Sequence, residues 1–279
     1  MLSRPRVSLL AALGCLIGLA LTGALAYLVP VVQVRDSATL EGFAALNGPR
    51  LTPVVDRIAH LADPLPYALI GLALAALALV RGRTRVAVAI VGLLLLTGAT
   101  TQVLKQLLAH PRSSDWLSGW SISAHSWPSG HATAAMTLAL CAVLAVPAML
   151  RPTAAVLGAA FAIAVSYAIL VLGWHFPSDV LGGFLVAAFW ALLAVAALVA
   201  LERRHPRRVP REPSPSAVVA ASPIALGVAA AVTGLLIVVQ RPQALAELAL
   251  ERPTFLGGAL AIAVLAASLA VGLARIVRR

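Results

Sequence analysis

The sequence predicts an all-α integral membrane protein, with a core of six transmembrane helices followed by two further transmembrane helices at the C-terminal side. Three observations predict it. Hydrophobic residues fill 61% of the 279 positions and the mean hydropathy is +0.97, whereas soluble domains are about 45–50% apolar. Eight separate apolar runs approach or exceed the roughly 20 residues that a helix needs to cross a bilayer. Charged residues make up only 11% of the chain and collect in the gaps between those runs. Inside hydrocarbon a backbone must satisfy its own hydrogen bonds, so each run is expected to be a helix.

The runs are residues 7–32, Pro64–Val80, 86–104, 132–150, 153–172, 180–201, 217–239 and 255–274. The first is long for a secretory signal core and reads as an uncleaved anchor, although Ala24-Leu25-Ala26 offers a cleavage-like site. Residues 36–63 form the first long polar stretch, with room for an amphipathic helix lying on the membrane. Residues 105–130 and 173–179 are two later breaks on the same side. Residues 202–216, ERRHPRRVPREPSPS, are a basic, proline-rich linker before the last two runs. The expected division is therefore a core over 1–201, the linker 202–216, and a helix pair within 217–279.

The net charge is +11, but the basic residues lie in short gaps between apolar runs, which argues for membrane topology and against nucleic acid. With the N-terminus inside, 14 of the 21 basic residues fall on the cytoplasmic side, including Arg81, Arg83, Arg85, Arg151 and the cluster from Arg203 to Arg211. That asymmetry predicts N-in and C-in. Cys15 and Cys141 sit inside apolar runs with no Cys-x-x-Cys or Cys/His cluster, so neither a disulfide nor zinc is expected.

Three clusters of reactive residues fall on the predicted outer side. In KQLLAHPR, Lys105, the single lysine of the chain, precedes Arg112 by seven residues. Two helical turns would bring both cations to one face, as a grip for an anion; the alternative is a pair of solvated or headgroup-anchoring cations. In PSGHAT, Ser129, Gly130 and His131 open an apolar run. The free amides and dipole of a helix N-terminus favour an anion, Gly130 allows close approach, and His131 suits acid–base work; the alternative is a plain helix cap. In GWHFPSDVLGG, His175 and Asp179 are four residues apart, spacing that puts both on one face. Asp179 would hold one ring nitrogen of His175 and leave the other as a nucleophile, while Ser178 could cap the helix without any histidine. His60, His110 and His125 read as interfacial histidines without a role. Trp116, Trp120 and Trp127 read as interfacial aromatic anchors.

The order K-x6-R, PSGH, H-x3-D resembles the type 2 phosphatidic acid phosphatase (PAP2) superfamily, closely over about residues 94–200 and loosely over the six-helix core. That family includes bacterial lipid phosphatases acting on phosphatidylglycerol phosphate, phosphatidate or undecaprenyl diphosphate. The resemblance implies that His175 attacks phosphorus to form a phosphohistidine and that Asp179 orients it. It implies that His131 protonates the leaving oxygen and then activates water, and that Lys105, Arg112, Ser129 and Gly130 hold the phosphate oxygens. It implies no cofactor, no metal and no obligate protein partner, with a lipid phosphate as substrate at the extracytoplasmic face of the cell membrane. A lipid-linked phosphotransferase and a non-catalytic binding or transport component are the rival readings. Two departures stand out. The family's third block usually reads S-R-x5-H-x3-D, and here Ala168 and Ile169 occupy the serine and arginine positions. The first block usually ends Arg-Pro, and here Pro111 precedes Arg112. His125, Trp174 and Ser113 are the candidates to replace the missing cation.

Overall fold

Proline placement explains most of the helix boundaries. The computed structural model describes residues 5–109, 122–206 and 253–278. Its helices are α1 (Pro5–Leu28), α2 (Pro30–Ala44), α3 (Thr52–His60), α4 (Pro64–Val80), α5 (Thr84–Leu107), α6 (Gly130–Ala145), α7 (Arg151–Val171), α8 (Pro177–Arg204) and α9 (Pro253–Arg278), with a 3-10 turn at Ala148–Leu150. All but α5 and α6 carry a proline in the first two positions, where the missing N–H is an orphan anyway and the ring presets φ. No strand occurs among the described residues.

Among the described residues, five helices are long and apolar enough to cross a bilayer: α1, α5, α7 with its 3-10 prelude, α8 and α9. Helices α3 and α4 meet that test only together, across a 53° bend. Helix α6 has only 16 residues, yet it is the centre of the bundle: 13 of them are buried, and α4, α5, α7 and α8 surround it. A helix enclosed by protein on all sides need not match the bilayer thickness by itself. The eight expected spans are thus five or six by length and composition among the described residues. The run 217–239 lies outside them, as does the linker beyond residue 206.

The expectation for residues 36–63 is corrected over residues 36–44, while α3 is a short helix within the rest of that stretch. The first run breaks at Val29, and Pro30 starts a second helix that continues through Asp36. Helix α2 does not lie free on a membrane surface. It buries Asp36, Ser37, Thr39, Leu40 and Phe43 and packs chiefly against α9. The Thr39 hydroxyl is shared between Arg35 O at 2.8 Å in its own helix and Thr254 O at 3.1 Å, and the Phe43 and Phe255 rings meet edge-on at 4.8 Å. Helix α9 also packs on α7, where the Tyr167 hydroxyl donates to Ala259 O at 2.7 Å.

At the end of the bundle away from the histidines, arginines bind helix C-termini. Arg83 donates to Leu144 O at 2.8 Å, beside the end of α6, and Arg151 to Val277 O at 3.0 Å, beside the end of α9. Cations there complement the helix dipole and its orphan carbonyls. Cys15 and Cys141 are both buried and unpaired.

Candidate active site

The turn that delivers His175 is built by Gly173. Its φ of 71° is left-handed, which a residue without Cβ adopts at no steric cost. The Gly173 N–H donates to Leu170 O at 3.0 Å and the Trp174 N–H to Ile169 O at 2.9 Å. This double bond pattern closes the C-terminus of α7. The chain then reverses, and α8 starts two residues after His175.

Asp179 is the third residue of α8 and is fully buried. An unpartnered carboxylate there would cost several kcal/mol. It accepts the Phe176 N–H at 2.9 Å and the His175 Nδ1–H at 3.3 Å. Because a carboxylate only accepts, His175 carries its proton on Nδ1 and keeps the Nε2 lone pair. Ser178 does not act as the cap. Its N–H and hydroxyl both donate to Asp36, at 2.9 and 2.5 Å, so the α8 start is clamped from α2.

Ser129 is the N-cap of α6. Its Oγ accepts the Ala132 N–H at 3.3 Å, and its own N–H donates to Asp179 O at 2.9 Å. The hydroxyl therefore serves the helix end and is buried, while the backbone bond ties the PSGH turn to the start of α8. A carbon built on Gly130 would lie 3.8 Å from Lys105 Nζ, so the ammonium reaches the N-terminus of α6. The His131 ring centroid is 6.4 Å from that of His175.

Glycines set this spacing. A Cβ on Gly183 of α8 would lie 2.7 Å from Ser129 O and 2.9 Å from Thr133 N, both backbone atoms of the α6 start. On one side of the same turn, Trp127 fills a slot between Gly23 and Gly182, each of whose Cβ positions would fall at or inside 3.0 Å of its ring. Trp127 is 2% exposed. The reading of it as an interfacial anchor is corrected: two missing side chains open a place for the indole inside the bundle.

The structure thus gathers Lys105, Gly130, His131, His175 and Asp179, with Ser129 beneath them. Arg112 lies outside the described residues, as do His110, Ser113, Trp116 and Trp120. Helix α5 ends at Leu107, so the two-turn register expected to align Lys105 with Arg112 stops short of it. Ile169 is fully buried, and its carbonyl belongs to the α7 cap. Trp174 brings a ring, not a charge. Its centroid lies 5.4 Å from that of His131 and 5.8 Å from that of His60. His125 is exposed.

Two carboxylates escaped the sequence reading. Asp36 clamps Ser178 as described. Asp63, in the break between α3 and α4, accepts from His131 Nε2 at 3.1 Å and from His60 Nδ1 at 2.8 Å. Partial burial raises the Asp63 carboxyl, but the bonds from His60 and His131 outweigh it and hold the group below its ordinary value. His60, read from sequence as having no role, is thereby joined to the site. No spacing rule could find these pairs, because Asp36 and Asp63 stand 142 and 68 residues from Ser178 and His131.

Beside His131 opens a cavity of about 370 Å³ between α4, α5 and α6, lined among others by Tyr67, Thr97, Thr101, Gln102, Lys105 and Gly130. Lys105 and Asp179 attract one another across the site. With the α6 amides, the ammonium makes a place for an anion. Replacing Lys105 with methionine is expected to lower kcat/KM for a phosphorylated substrate about 10- to 100-fold, the worth of one charged hydrogen bond. Steady-state phosphate release checks it.

The PAP2 superfamily model matches residues 86–203. Among solved structures, the chain is similar to a transmembrane PAP2-type phosphatidylglycerolphosphate phosphatase from Bacillus subtilis. The TM-score is 0.51 and the identity 24%, covering 71% of this chain and 98% of that one. At that identity the likeness is one of fold. No curated protein sequence matches significantly. The matched region runs from the start of α5 almost to the end of α8 and contains His131, His175 and Asp179; over residues 86–203 the chain is similar to the PAP2 superfamily.

Proposed function

We propose that the protein is a metal-independent phosphatase of a lipid phosphate or diphosphate, acting through a phosphohistidine at the extracytoplasmic face of the cell membrane. The observation that carries this reading is the pair of imidazoles with centroids 6.4 Å apart, flanked by a lysine ammonium and a helix N-terminus. That gap suits a single phosphoryl group.

The geometry supports the following steps. The Nε2 lone pair of His175 attacks phosphorus as the bond to the leaving oxygen breaks. Asp179 accepts from Nδ1–H and stabilises the imidazolium that forms. His131 gives a proton to the leaving oxygen. It then takes one from the water that attacks the phosphohistidine, releasing His175 and inorganic phosphate. Lys105 and the Gly130 amide balance the charge on the phosphoryl oxygens, the dominant contribution in such transfers.

The family match and the membrane-length helices support a lipid substrate of the phosphatidate, phosphatidylglycerol phosphate or undecaprenyl diphosphate class. The skewed distribution of arginines supports the outward site. We retain the division into a six-helix core over 1–201, a linker over 202–216 and a C-terminal helix pair within 217–279. Phosphate release from those three lipids, with EDTA present, tests the reading. Release from at least one is expected. Release from none, or complete loss with EDTA, would overturn it. Transfer of phosphate to an added lipid or sugar hydroxyl without free phosphate would identify a phosphotransferase instead.

A further inference from the structure

A chain of side chains outside the matched family region leads to His131. Asp56 faces His60 Nε2 at 3.5 Å, His60 Nδ1 donates to Asp63 Oδ2 at 2.8 Å, and Asp63 Oδ1 accepts from His131 Nε2 at 3.1 Å. Trp174 covers both imidazoles. The outer pair is about half exposed, His131 much less so. We infer that Asp63 is a positioning residue for the acid–base step, holding His131 with its Nε2–H bound and its Nδ1 free for the leaving oxygen. The inference rests on the phosphatase reading and adds a second imidazole–carboxylate pair facing the first.

An ionised carboxylate only accepts, so His131 must keep a proton on Nε2. The proton exchanged in turnover is then the one on Nδ1. Burial of His131 works against the imidazolium needed to protonate the leaving oxygen, and the bond to Asp63 offsets part of that cost. A proton relay is a weaker account of the same cluster. His131 regains from the attacking water the proton that it gave to the leaving oxygen, so each cycle closes without an external proton. His60 donates to the second oxygen of Asp63 and so limits how the carboxylate can turn. The other charged and titratable groups that act on His131 are Lys105 from α5 and His175 from the α7–α8 turn, and Asp179 of α8 acts in turn on those two. They are unchanged when Asp63 alone is replaced.

The experiment measures kcat and KM from acid to alkaline pH for wild type, Asp63→Asn and Asp63→Glu. It uses full-length protein in detergent micelles and whichever of the three lipids the wild type hydrolyses fastest. Asn is expected to lower kcat about 10- to 100-fold with little change in KM, because general acid catalysis is typically worth 10²–10⁴-fold. The alkaline limb of kcat is expected to move about one unit or more to lower pH, since the imidazolium loses its counter-charge. Glu, which restores the carboxylate, should recover a large part of kcat and return the limb toward the wild-type position. Three results would overturn the inference while leaving the phosphatase reading intact: kcat of the Asn variant within about threefold of wild type, an unmoved alkaline limb, or a Glu variant no better than Asn. Wild-type protein that releases no phosphate from any of the lipids would overturn both together.

Discussion

Replacing His175 with alanine is expected to cut turnover by at least about 10⁴-fold, to the level of groups that bind phosphate without attacking it. Among the described residues, His175 pairs a ring nitrogen with a buried carboxylate on the opposite nitrogen, and under the proposed mechanism alanine removes both the attacking lone pair and the imidazolium that Asp179 would stabilise. Wild-type protein mixed rapidly with lipid phosphate and quenched in alkali is expected to retain a protein-bound phosphate that acid releases. The variant should retain none. A variant that still releases phosphate near the wild-type rate would move the nucleophile elsewhere and refute the mechanism.

The second large effect concerns a residue that touches no substrate. Gly183→Ala places a methyl carbon 2.7 Å from Ser129 O and 2.9 Å from Thr133 N. These are backbone atoms of a helix start and cannot swing aside as a flexible side chain does. Helix α8 must then back away from α6, taking the Asp179 carboxylate away from the PSGH turn. Overpacking of this kind typically costs about 1–3 kcal/mol. A misplacement near 1 Å at a reacting pair can cost about 10²-fold in rate. We expect a lower melting temperature in detergent and a fall in kcat of about that size. Gly92→Ala on α5 is the control, since nothing lies within 4 Å of its Cβ. Removing a helical glycine there should be neutral or slightly stabilising. Equal behaviour of the two variants would refute this account of how the histidines are spaced.

Hydropathy reveals a helix wherever the environment is mostly lipid, which is why α1, α5 and α9 are legible from composition. It reveals much less about α2, which mixes Asp36, Ser37 and Thr39 with apolar residues because other helices, not lipid, cover those three. Trp127 misleads for a related reason. An aromatic residue near a helix mouth has the same local pattern whether it faces headgroups or fills a slot between glycines of other helices. At the site, motifs legible along the chain supply His131, His175, Asp179 and Lys105, because each depends on spacing within one segment. The partners that orient them are a different matter. Asp63 and Asp36 owe their roles to where α3, α4 and α2 come to rest, and a single sequence carries no mark of that. The double role of Asp179, as helix cap and as partner of His175, also needed coordinates, since either job alone would explain the residue.

The bond between Thr39 and Thr254 bridges 215 positions of chain. It joins α9 to the helix whose Asp36 secures the α8 start. A ribosome must therefore emit most of the polypeptide before that brace exists, and His175 is made long before its support is complete. Loop-closure entropy over such a separation makes the step late as well as distant. Newly inserted chains are thus expected to pass through a stage with every motif residue present but hydrolytic competence still to come.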